Sequence, residues 1–175
     1  MVLANLLLTE QDIKKLISSK KLTVYVRSFY QNSENETSHV VLINEKQEPF
    51  SIMNEPYDHP FWGEIDRISI CYDENYREEL LEYYSEEKND WRYRDVNYIR
   101  FTEIHHPRLS VYREEYEAFS AEEKCKEQIQ TDFALLLESE NKNVLIYCSE
   151  LGATLYVIDD VEKVKEVLAG AQKII

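Results

Sequence analysis

Hydrophobic and polar positions along this chain alternate in two periods, and the period changes often. Near the start, Ile13, Leu16 and Ile17 share a helical face behind Thr9 and Asp12, which resemble a capping arrangement, so a helix is expected over about 10–19. "LTVYVRSFY" at 22–30 is rich in β-branched and aromatic residues and reads as a strand. The polar loop "QNSENETS" and a second strand, "HVVLINE" at 39–45, complete a hairpin. "EPFSIMNEP" adds a brief third strand between its prolines, and "EIDRISICYD" at 64–73 alternates as a fourth. "VNYIRFTEI" at 96–104 is another.

Two longer stretches carry helical spacing. Asp73 stands at an N-cap position, and over 74–87 Tyr76, Leu80, Leu81, Tyr83 and Tyr84 fall on one arc. Glu74, Glu78, Glu82 and Glu86 spread over about 120° of the other, with Glu79 just beyond. Further on, Ser120 and Glu123 form a capping box, and Cys125, Ile129, Phe133, Leu136 and Leu137 make an apolar stripe to about 138. At the C-terminus "NVLIYCS" and "ATLYVID" flank a loop with Gly152 and predict a hairpin. Asp159 and Glu162 then box a final helix with Val161, Val164 and Leu168 inward. The sum is an α+β chain: one compact domain over 1–175, a mostly antiparallel sheet, about four helices, and a C-terminal β-hairpin followed by a helix.

Composition changes this picture mainly by exclusion. The 175 residues are 43% hydrophobic and include 13 Tyr, 6 Phe and 2 Trp, enough to bury a core. Only 3 Gly occur, none near another, which argues against phosphate-cradling loops and dinucleotide fingerprints. The opening "MVLANLLLTE" has no cationic flank and is too short for a signal segment or a membrane span. Cys71, Cys125 and Cys148 are an odd set without framework spacing and suit free thiols in a reducing compartment, so a cytoplasmic protein is expected.

Charge adds more. The formal net charge is −14, which repels duplex nucleic acid and anionic membrane and attracts basic partners. Residues 73–90 hold eight acids against two bases, and "REEYEAFSAEEKCKE" supplies a second acidic stretch. Like charges one turn apart cost about 1 kcal/mol over the ladder, which burial of an aromatic face exceeds, so the ladder alone reads equally as a solvated face. If the two stretches share a side, they form a partner-binding surface of Glu74, Glu78, Glu79, Glu82, Glu86, Asp90, Trp91, Glu114, Glu115 and Tyr116. Carboxylates steer a basic protein to such a surface while aromatic rings anchor it. That pattern fits an immunity protein, antitoxin or anti-defence factor facing a toxin, nuclease or defence effector, and the row spacing also permits a nucleic-acid mimic.

The alternative is a small enzyme or anion-binding domain built on "WRYRDVNYIRFTEIHHPR", with Arg92, Arg94, Arg100 and His105 around an anionic ligand. Against it, those arginines are the nearest counter-ions to the glutamates. No motif names a reaction, so no catalytic residue, cofactor or metal ligand is assigned. His105 and His106 would point to opposite faces of a strand, and Cys148 has apolar or acidic neighbours that disfavour a thiolate.

Overall fold

The computed structural model describes residues 2–6, 8, 10–27, 33, 35–59, 63–72, 82–93, 97–120, 125–148 and 154–174. In chain order the elements begin with β1 (Val2–Leu6), α1 (Glu10–Ile17), β2 (Lys21–Arg27), β3 (Glu36–Thr37), β4 (Val40–Asn44) and β5 (Pro49–Asn54). Next come β6 (Tyr57–His59), β7 (Gly63–Ile65), β8 (Ile68–Tyr72), β9 (Glu82–Ser85), β10 (Asp90–Tyr93) and β11 (Tyr98–His105). The last are β12 (Arg108–Ser120), β13 (Cys125–Glu138), β14 (Asn143–Cys148), β15 (Leu155–Ile158), α2 (Val161–Leu168) and β16 (Gln172–Lys173).

Two sheets face each other across a shared core. Sheet I runs β8-β5-β4-β2-β11-β10-β9, antiparallel throughout. Sheet II runs β16-β12-β13-β14-β15-β3, also antiparallel. β1 joins it in parallel beside residues 127–131 of β13, in the row that β14 occupies beside residues 134–138. Strand alternation sends Leu22, Val24, Val26, Leu42, Phe50 and Ile52 of sheet I inward. There they meet Val111, Leu135, Leu137, Val144, Ile146 and Val157 of sheet II, and α1 closes one side with Ile13 and Leu16. On the outer face of sheet II, Phe133, Leu136, Leu145 and Ile158 are covered by Val164 of α2.

This architecture overturns the α+β reading with about four helices: among the described residues the chain is a mostly antiparallel β-sandwich with two helices. The helix expected to run to about 138 is strand β13, paired with β12 over residues 125–138. Its "FALLL" run serves two covered faces at once, Leu135 and Leu137 toward sheet I, Phe133 and Leu136 toward α2. A strand buried on both sides reads as a continuous apolar run, which periodicity does not separate from a helix. Of the helix expected over 74–87, residues 73–81 lie outside the described set. Its remainder is strand β9 and the turn that follows, because Tyr83 and Tyr84 pair with Arg92 and Trp91.

Smaller corrections follow the same logic. α2 starts one residue later than expected, with Asp160 rather than Asp159 as its cap, accepting from the Lys163 N–H at 2.8 Å. Ile17 and Val161, expected inward, are exposed. The C-terminal hairpin and helix do form as β14, β15 and α2, although the Gly152 loop lies outside the described residues. Among the described residues no helix is long and apolar enough to cross a membrane.

Candidate functional site

The outer face of sheet I carries a row of rings. On β10 the alternation places Trp91 and Tyr93 outward and Arg92 inward. Register then sets Tyr84 opposite Trp91 and Tyr98 opposite Tyr93, with Tyr25 of β2 beyond. Tyr84 and Trp91 meet edge to face with centroids 5.7 Å apart, and the Arg100 guanidinium lies 5.2 Å from the Trp91 ring centre. Tyr93 continues the row to Tyr25 at 5.1 Å and Tyr98 at 5.5 Å. Exposure falls steeply along it: Trp91 is 44% and Tyr84 46% exposed, while Tyr93 is fully buried. The buried end fixes the rings, and the exposed end presents them.

The row ends in a buried polar cluster. His39 Nδ1 lies 2.7 Å from the Tyr98 hydroxyl, and its Nε2 is hydrogen-bonded to Ser51 Oγ. Both ring nitrogens are occupied, and His39 and Ser51 are buried. Ser51 sits on a regular strand, without the sharp turn that exposes a nucleophilic serine. The cluster therefore links β4, β5 and β11 as structure.

Around the exposed rings the charge is mixed. Asp90 is held by Arg92, with Nη2 donating to Oδ2 at 2.9 Å. Glu86 and Glu87 stand exposed in the β9–β10 turn, with Lys88 3.5 Å from Glu87. Glu82 lies on β9, whereas Glu74, Glu78, Glu79 and Arg94 lie outside the described residues. Glu114, Glu115 and Tyr116 are on β12 of the other sheet. β12 and β13 meet α1 and β8, at the far end of sheet I from β9. Six strand spacings, roughly 29 Å, separate β8 from β9, so the described acids of the first stretch, Glu82, Glu86, Glu87 and Asp90, stand apart from Glu114 and Glu115.

Of the cationic set, Arg94 lies outside the described residues, and Arg92 stands apart from Arg100 and His105, which share Glu103. Arg92 and Arg100 occupy opposite faces of sheet I, and His105 is at the other end of β11. His105 Nε2 lies 2.8 Å from Glu103, which also faces Lys21 at 3.4 Å and Arg100 at 4.0 Å. Burial pushes Glu103 up, but the charge and hydrogen bond of Lys21, the bond from His105 and the charge of Arg100 together hold it below its usual value. His106 follows β11 with φ of 48°, and this turn lets His105 and His106 line one open groove of about 710 Å³ with Arg108, Glu138 and Lys142. The expected opposite-face arrangement is thereby corrected. No cluster of three or more metal-ligating side chains occurs among the described residues. Burial pushes the Cys148 thiol well above its ordinary value, with Asp66 and Glu114 adding to it, so it stays protonated.

Sequence reasoning included Trp91, with Tyr93 and Tyr98 in the same arginine-aromatic stretch, but it placed Tyr84 in a helix core and missed Tyr25. The two-residue period of Trp91, Arg92, Tyr93 was the available signal. The His39 cluster had none, since its members lie 12 and 59 positions apart. Compared with known proteins, the chain matches no family model, no curated protein and no solved structure.

Proposed function

We propose that this chain is a protein-binding module, of the immunity, antitoxin or anti-defence kind, that docks a basic face of a partner protein in the cytoplasm. The observation that carries the reading is the exposed Tyr84–Trp91 pair, braced by Arg100 at the end of a row of buried rings. Trp, Tyr and Arg are the side chains that most often dominate binding energy, and rings already held in place lose little freedom on docking. Glu86 and Glu87 beside them, and the net charge of −14, favour a cationic face on the partner. The cytoplasmic placement is supported by Cys71 and Cys148, both free thiols.

The test is capture of the partner from the native cell with wild-type protein and a Tyr84→Ala/Trp91→Ala variant, followed by affinity measurement at rising salt. The variant is expected to lose at least 2 kcal/mol of binding, on the order of thirtyfold. Wild-type affinity is expected to fall as salt screens the encounter. Equal affinity of the two proteins would overturn the proposal.

A further inference from the structure

Beyond Arg113, no described strand pairs with the edge of β12 that faces away from β13. We infer that residues 115–119 form a slot in which an extended, lysine- or arginine-bearing segment of a partner protein adds to sheet II as a strand. Along one side β12 pairs with β13 over its whole length. On the other side β16 covers only Tyr112 and Arg113, with the Ile174 N–H donating to the Val111 carbonyl at 2.8 Å. That bond fixes which backbone groups face outward. The β12–β13 register shifts between Tyr112 and Arg113, but Arg113 still pairs with Gln172 of β16, and alternation from there turns the N–H and C=O of Glu115, Glu117 and Phe119 to the same side. β16 uses this edge as far as Arg113, and among the described residues no strand continues along it.

β16 is itself the demonstration that the edge accepts an antiparallel strand. Beyond it about 17 Å of pairing edge remains, a length that proteins ordinarily shorten, twist or cover. The edge is also held ready. β1 occupies the opposite side of β13, and the Asp132 carboxylate accepts from the Leu8 N–H at 2.8 Å and from Arg113 Nε at 2.9 Å. Thr131 Oγ1 donates to the Asp66 carbonyl at 3.0 Å, and Ile129 packs on Ile65. A strand docking here meets a preformed template, so it bears little of the ordering cost.

Charge selects the occupant. Glu114, Glu115 and Glu117 all belong to this strand, and Glu115 is exposed. A second copy of the chain pairing across this edge would bring glutamates against glutamates, which disfavours an edge-to-edge dimer. A segment alternating cationic and apolar residues would place opposite charges across the new pair, the mode in which main-chain bonds supply affinity and alternate side chains supply specificity. This slot does not depend on the Trp91 anchor, which stands on the other sheet.

The experiment uses the full chain and three capped eight-residue probes: alternating Lys–Val, alternating Glu–Val, and Lys–Val with its alternate backbone nitrogens methylated. Amide hydrogen exchange of Glu115, Glu117 and Phe119 is followed by NMR. Fast exchange is expected in the free protein, slowed at least tenfold by saturating Lys–Val peptide and unchanged by the other two. A Glu115→Lys/Glu117→Lys variant with unchanged circular dichroism is expected to reverse the preference toward Glu–Val, and Tyr84→Ala/Trp91→Ala to leave it intact. The inference is overturned if these amides are already protected in the free protein. It also fails if protection rises with protein concentration alone, or if the Lys–Val and Glu–Val peptides act alike on the wild type.

Discussion

Asp132 shows how a single side chain can tie distant parts of this chain together. Its carboxylate is 1% exposed, yet it receives both Arg113 and the backbone of Leu8. Removing one partner of a buried ion pair strands the other, so Asp132→Ala is expected to cost about 3–5 kcal/mol in urea unfolding. Tm should fall on the order of 10 °C. Cys71 and Cys148 make a second pair of expectations. Cys71 is exposed, while Cys148 packs against the core with its thiol held protonated. Iodoacetamide on the native protein, read by peptide mapping, should modify Cys71 first and Cys148 only on unfolding. Glu103 sets an acid limb. Its folded value lies below the usual 4.5, so the stability it adds is present above that pH and lost as pH falls through the lower folded value. Glu103→Gln should therefore cost roughly 0.2–1 kcal/mol at neutral pH and progressively less below pH 4.5, measured by urea unfolding across pH. At this scale the sequence reading of Cys148 as inert agrees with its surroundings, whereas nothing in the chain's pattern announced Asp132 or His39. Both owe their partners to strands far apart in sequence.

Short strands with clear ends were the legible elements. β2, β4, β5, β8 and β11, the C-terminal hairpin and both helices keep within one residue of the expected stretches, because each carries its own period and its own turn residues. What escaped, beside the short strands β1, β3, β6, β9, β10 and β16, was the long β12–β13 pair. Its β13 half carries apolar residues on both faces, and its β12 half carries so many acids that no period shows. Pairing over residues 108–120 then decides the matter against local spacing, as tertiary context does for strands generally. One substitution separates the two readings. The helical stripe named Ile129, Phe133, Leu136 and Leu137 but left out Leu135, which the strand buries completely. Leu135→Ala is expected to cost about 2–5 kcal/mol, and Ile17→Ala at the exposed end of α1 less than about 0.5 kcal/mol. Near-equal costs in urea unfolding would contradict the strand register.

Taken as a whole molecule, the chain divides its surface chemistry between two ends of the sandwich. The β9–β10 hairpin presents rings beside exposed acids at one end of sheet I. The β12 edge presents backbone groups flanked by acids toward the other. The acidic surplus was plain in the sequence, but its distribution was not, because the expected surface rested on a helix whose described part, residues 82–87, is β9 and a turn. With 34 acidic groups and 20 basic ones, the net field attracts cationic surfaces, and in the proposed function the rings decide where contact is made. The most direct measurement is the affinity of the captured partner for wild type and for Tyr84→Ala/Trp91→Ala, each titrated with salt. Tight wild-type binding that weakens with ionic strength, and a variant weaker by about thirtyfold at every salt concentration, is the expected result. A variant that binds as tightly as wild type, or a wild-type affinity indifferent to salt, would contradict it.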